Sequence, residues 1–136
     1  MTSLSTSQIW TRFALACALT TPICLALAWI LIRVTGVPPT YPPLLPQQII
    51  AGTVGGALLV TLGFWILQSA IRDPKTRNWV FVSLGILLMI ASYHLPYRLS
   101  YTKSPRFAGV TVAAQWGQVF LHTVVVLGSM FPFLRR

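Results

Sequence analysis

Residues 13–32 read FALACALTTPICLALAWILI, twenty uncharged side chains in a row between Arg12 and Arg33. At about 1.5 Å of helical rise per residue this run covers roughly 30 Å, the thickness of a bilayer's hydrocarbon core. Positions 1–8 are mostly polar, and the apolar run is too long for the core of a cleaved leader, so it reads as a membrane span with no export cleavage expected.

The same test along the chain returns three more uncharged segments, giving spans at about 13–32, 49–71, 79–97 and 108–134. The last is longer than a perpendicular span needs, so a tilt or a start in the interface is expected. The connections are too short for a soluble domain, and short connections make consecutive helices antiparallel neighbours. The predicted fold is all-α: one domain over residues 1–136, an integral-membrane four-helix antiparallel up-down bundle. Composition agrees, with 55% hydrophobic residues, 8% charged and a single acid among 136. Mean hydropathy is +0.73. So little polar surface cannot clothe a soluble core.

Ten Lys or Arg against one acid give a net charge of +9. In a soluble chain that excess would suggest nucleic acid, but here it divides into short clusters between spans. The expected roles are topogenic signals and contacts with anionic lipid, with no nucleic-acid partner. Placing both termini and the 72–78 link on one side collects Arg12, Arg72, Lys75, Arg77, Arg135 and Arg136 there, against Arg33, Arg98, Lys103 and Arg106 opposite. Six against four predicts that both termini lie on the cytoplasmic side of a plasma membrane. Trp10 and Trp79 then mark the cytoplasmic interface and Trp29 the other.

Small residues suggest where helices touch. Gly52, Gly56 and Gly63 on the second span, and Gly109, Ala113 and Gly117 on the fourth, form rows that allow close backbone approach. Pro22 interrupts the first span, and Thr20 and Thr21 are expected to satisfy the backbone groups it loosens. The Val34–Gln48 connection carries Pro38, Pro39, Pro42, Pro43 and Pro46, so it is expected as an extended rim loop covering the bundle, with a partner-docking edge around Tyr41 as the alternative. Cys17 and Cys24 are seven residues apart, about 10.5 Å along a helix, too far for a disulfide, and read as small hydrophobes.

Chemistry is thinly supplied. Asp73, the only acid, precedes Pro74 in a charged link and reads as a helix cap or a partner of Arg72, Lys75 or Arg77. One carboxylate excludes a paired-carboxylate hydrolase and a carboxylate-bridged metal centre, and its place in a link excludes coupling through an intramembrane acid. The candidate site residues are therefore His122, His94, Gln118, Gln115, Tyr97 and Arg98. Gln115, Gln118, His122 and Ser129 follow steps of three, four and seven on the fourth span. Facing lipid they would leave several polar groups in hydrocarbon, so the stripe is expected to point inward or towards a partner, with the glutamines joining His122 to hydroxyls of another helix. It reads as a polar seam or as a pocket for a polar headgroup. Ser92, Tyr93, His94, Tyr97 and Tyr101 gather near the end of the third span, where Pro96 is expected to disturb the last turn. The tyrosines read as interfacial anchors, or with Arg98 as a clamp for a phosphate or quinone head. His94 and His122, roughly 6 Å apart in depth on regular helices, are weighed as axial ligands of a haem or pigment, as hydrogen-bonded structural residues, and as direct contacts for a partner, lipid or quinone.

Thr35-Gly36-Val37-Pro38 closing the first span, the Gly-rich Ala51–Gly56 segment, the basic link before the third span and Phe120-Leu121-His122-Thr123 in the fourth resemble a small bacterial family of four-helix integral-membrane proteins of unknown function. The likeness covers most of residues 10–134, implies no particular reaction or cofactor, and points first to His122.

The preferred function is a non-catalytic accessory or structural membrane protein that binds membrane lipids, a larger membrane complex or a homo-oligomeric partner. One alternative is a histidine-ligated haem, pigment or quinone-binding subunit. Another is a small-molecule transporter or membrane enzyme.

Overall fold

The computed structural model describes residues 4–99 and 110–134. The expectations for Tyr101, Lys103, Arg106, Gly109, Arg135 and Arg136 lie outside the described residues. Helix α1 spans Thr6–Thr35; it opens on a reciprocal cap in which Ser5 Oγ accepts from the Gln8 amide and Gln8 reaches back to the Ser5 amide, and it closes at Gly36 with φ 66°. Helix α2, Pro46–Ala70, starts on a proline, whose missing N–H belongs to the turn that has no intrahelical acceptor anyway. Helix α3, Pro74–Ser92, is capped by Asp73, which accepts from the Thr76 amide at 2.7 Å. After Tyr93 the chain resumes as α4, His94–Leu99. The break falls where Pro96, lacking an N–H, leaves the carbonyl of Ser92 without its i+4 donor. Helix α5, Val112–Leu134, is preceded by Thr111, whose Oγ1 accepts from the Ala114 amide at 3.1 Å.

Four helical stretches among the described residues are long and apolar enough to cross a membrane: Thr6–Thr35, Pro46–Ala70, Pro74–Arg98 and Val112–Leu134. The fold is all-α and consistent with a four-helix membrane bundle. Its register can be followed through cross-helix contacts. Arg12 meets Pro132, Thr20 meets Gly128 and Leu31 meets Gly117, so α1 and α5 run antiparallel. Leu4 with Gln68 and Thr21 with Thr53 make α1 and α2 antiparallel. Gly56 with Val125 and Phe64 with Phe133 make α2 and α5 parallel. Phe81 with Phe133 and Tyr93 with Thr123 set α3 antiparallel to α5. Helix α5 is the hub: it packs against α1 most extensively, then α2 and α3, while α2 and α3 touch less than their adjacency in sequence predicts.

Two apolar clusters mark the ends of the bundle. At the terminal end Phe64, Phe81 and Phe133 pack ring to ring with centroids 5.0–6.1 Å apart, joined by Ile9, Val60, Val126 and Met130. Arg77 is buried beside them, its guanidinium 5.6 Å from the Phe64 ring. At the other end Cys24, Ala28, Val37, Tyr41, Leu44, Ile49, Ala114 and Leu121 form the second cluster. Between them runs a belt of buried hydroxyls from Thr20, Thr53, Thr61 and Ser129.

Several local expectations change. Close helix contact uses Gly56 against Val125, Gly85 against Met130, Gly117 against Leu31 and Gly128 against Thr20, whereas Gly52 and Gly63 have open space where a side chain would stand and Ala113 is exposed. The Gly85 and Gly128 contacts depend on which helix faces which, and spacing within one helix does not encode that. Around Pro22, Thr21 Oγ1 instead lies 2.9 Å from Thr53 Oγ1 on α2, and Thr20 Oγ1 has no hydrogen-bond partner. The Pro-rich connection is not the extended loop expected: the Tyr41 amide donates to the Pro38 carbonyl at 2.9 Å across a turn at residues 39–40, a 3-10 turn follows at Pro42–Leu44, and Tyr41 is 3% exposed. Burial of that side chain removes it as an accessible docking edge.

Candidate functional site

Along the polar stripe of α5, Gln118 and Ser129 are buried and Gln115 and His122 half-buried, and its first three residues border two spaces. The first is a cavity of about 130 Å³ bounded by α1, the Pro-rich connection, α2 and α5. Its lining includes Cys24 from α1, Gln48, Gly52 and Thr53 from α2, and Gln118 and His122 from α5. The second is a groove of about 620 Å³ along the flank of α3, α4 and α5, where Tyr93, His94, Tyr97, Gln115 and Trp116 gather.

The cavity's buried wall is fixed by a long-range contact. Gln118 Nε2 donates to the Tyr41 hydroxyl at 2.8 Å, and both residues are buried. The glutamine therefore joins the connection to α5; it does not link His122 to a hydroxyl on another helix. Burial pushes the Tyr41 phenol above its ordinary range, and the bond from Gln118 opposes that shift. Thr53 closes the same wall with its hydroxyl on the Ile50 carbonyl and close to Thr21. Cys24, Ile49, Thr53, Gln118 and Leu121 are all buried, whereas Gln48 and Gly52 are exposed and His122 and Val125 half-buried. The cavity thus opens sideways between α2 and α5. No hydrogen bond reaches the His122 imidazole or the Gln48 carboxamide among the described residues, and both border the mouth.

In the groove, Tyr93 is held by α5, its hydroxyl 2.7 Å from Thr123 Oγ1. That contact ties it to the bundle, where an interfacial anchor would be free to face the headgroups. Tyr97 and His94 are exposed at the groove's edge, and Gln115 Nε2 is buried without a partner among the described residues. Arg98 is exposed in the last turn of α4, outside the side chains that line the groove. His94 and His122 consequently border different spaces, and one ligand in either space would meet only one of the two imidazoles. Ser129 is fully buried in the hydroxyl belt, outside both spaces.

Sequence reading missed Gln48, Gly52 and Cys24 as cavity residues, and Tyr41 and Thr123 as partners of polar side chains. Gln48 carried one usable signal, a polar residue opening the second apolar run; Thr123 lies off the polar stripe and carried none. Both cysteines are free. The described residues contain no group of three or more His, Cys, Asp or Glu placed to hold a metal ion. No protein-family model, curated protein or solved structure matches the chain.

Proposed function

We propose that the protein is a non-catalytic accessory or structural subunit of a bacterial inner membrane, with both termini cytoplasmic, whose outward faces bind lipid and a larger membrane assembly or a second copy. The membership in the bacterial four-helix family suggested by Phe120-Leu121-His122-Thr123 belongs to the same proposal. The observation that carries it is the division of side chains on the helices. Two polar groups of α5 are engaged within the bundle, Gln118 on Tyr41 and Thr123 on Tyr93, while large apolar side chains such as Leu59, Ile66, Leu87 and Ile90 face outward. Such a surface suits lipid tails and apolar partner helices.

Purification of tagged protein in lipid discs, followed by native mass measurement, tests the reading. The expected result is a stoichiometric second chain, or a second copy, with bound phospholipid. A bare monomer with measurable turnover or flux of a small molecule would overturn it. A second reading, a cofactor-binding subunit, is favoured by one observation: the half-buried His122 borders a cavity without a hydrogen-bond partner.

A further inference from the structure

We infer that the α1–α2–α5 cavity is a binding site for the uncharged ring of a bilayer-soluble amphiphile of the quinone type, with His122 and Gln48 meeting ring oxygens and Gly52 forming the opening. The inference rests on the reading of the chain as membrane-embedded and on the cavity as a ligand site; it needs no partner subunit.

Size comes first. A cavity of about 150 Å³ lined by apolar side chains takes up a benzene molecule. The present cavity of about 130 Å³, open on one side, suits a single six-membered ring, while a tetrapyrrole of four linked rings does not fit. This narrows the haem, pigment and quinone alternatives for His122 to the last.

Charge comes second. Among the described residues no Asp, Glu, Lys or Arg lines the cavity. A phosphate or ammonium head would lose its hydration there and gain no counter-charge from the described residues, a desolvation penalty that a neutral head does not incur. The remaining polar lining comes from two helices, Gln48 and Thr53 on α2 and Gln118 and His122 on α5. Thr53 and Gln118 each make a hydrogen bond within the bundle, whereas Gln48 and His122 make none among the described residues and stand as donors on the two sides of the mouth. A ring with oxygens at opposed positions can accept from both, since a neutral imidazole and a carboxamide each offer an N–H.

Access comes third. A side chain added at Gly52 would meet no heavy atom of the described residues within 4 Å, so its absence leaves open the space between α2 and α5. The site lies within the first two turns of α2, roughly 3–10 Å along the helix from Pro46 at about 1.5 Å per residue. An apolar tail leaving between α2 and α5 would enter the hydrocarbon directly.

The test uses full-length protein in phosphatidylcholine discs, with ¹⁵N-labelled histidine side chains observed by NMR during titration with a decyl-substituted benzoquinone. One saturable shift of the His122 resonance, absent with dodecanol and dodecyl phosphate, is expected. Gly52→Leu, which places a side chain in the opening, should weaken binding at least tenfold. Gln48→Leu and His122→Phe, the latter followed by quinone retained per disc above protein-free discs, should each weaken it about tenfold, the effect of one hydrogen bond. Gly63→Leu, on the same helix outside the cavity, should bind as the parent does. The Gln48 and His122 variants keep the test decisive if Gly52→Leu does not fold. Absence of a saturable shift, equal binding of dodecyl phosphate, or Gly52→Leu folding and binding like the parent would each overturn the inference. Alkaline carbonate washing separates the underlying reading: a chain released from washed membranes refutes membrane embedding, whereas a retained chain that binds no quinone refutes the ring site alone.

Discussion

Gln118 Nε2 and the Tyr41 hydroxyl stand 2.8 Å apart although 77 positions separate them in sequence. The bond fastens the Pro-rich connection onto α5 and forms one wall of the cavity. Either partner alone would be a buried polar group in an apolar setting. Tyr41→Phe and Gln118→Leu should therefore each destabilise the bundle by about 1–2 kcal/mol. The double variant should lose less than the two singles together, by about 1 kcal/mol, because neither partner is then stranded. Steric-trap unfolding in lipid bicelles measures all three.

The glycine contacts predict a ranked series. A methyl at Gly128 would stand 2.6 Å from Thr20 Oγ1 and 3.4 Å from its Cβ, and a β-branched side chain has little rotamer freedom with which to yield. Gly128→Ala should push α1 from α5 and cost about 1–3 kcal/mol. At Gly117 the obstruction is the flexible tip of Leu31, so Gly117→Ala should cost less than about 1 kcal/mol. Gly63→Ala meets nothing and should stabilise α2 by up to about 1 kcal/mol through helix propensity. Thermal denaturation in detergent gives the order; a Gly63→Ala loss larger than that of Gly128→Ala would contradict the packing.

Asp73 should make the start of α3 sensitive to acid. Hydrogen bonds from Thr76, the side-chain bond first and the backbone N–H second, hold its carboxyl below the ordinary range. A lowered folded pKa means that the stabilisation is complete well above the unfolded value of about 3.9 and is lost as pH falls through the folded value. Hydrogen-exchange protection of the Thr76 amide should therefore decline on acidification below about pH 3.9. Asp73→Asn, which keeps an acceptor oxygen but cannot titrate, should remove that decline, while Asp73→Ala should lower protection already at neutral pH.

Orientation has a direct readout. Thr40 is exposed in the connection between α1 and α2, and Lys75 in the first turn of α3. In a Cys17→Ala, Cys24→Ala background, Thr40→Cys should react with an impermeant maleimide on intact cells. Lys75→Cys should react only after permeabilisation. The reverse pattern would invert the proposed topology.

Much of the bundle was legible in the charges. Arg12, Arg33, Arg72 and Lys75 bracket apolar runs because a charge in hydrocarbon is costly, and the all-α, four-helix fold follows. Asp73 before Pro74 was legible as a cap because Asp side chains accept well from the first helical amides. The site was legible only along one helix. The spacing of Gln115, Gln118 and His122 puts them on one side of α5, where Gln118 is buried and the other two half-buried, but the partner of Gln118, Tyr41, lies 77 positions away. Which of two spaces each residue borders depends on how α3 and α2 sit around α5, and local periodicity carries no record of that.

The central place of α5 sets a timetable for the molecule's manufacture. Every other long helix packs on it, yet it is synthesised after them. At about 5–20 residues per second, roughly 5–20 s separate completion of α1 from completion of α5. During that interval α1, α2 and α3 can each sit in the bilayer as formed helices, but the face of α1 carrying Thr20 and Ala28 still lacks its mate. A ribosome stalled before residue 112 would deliver three inserted helices with an open seam, the kind of surface that membrane chaperones and proteases recognise. Surveillance of this protein should therefore act on chains whose translation stops before its last described helix.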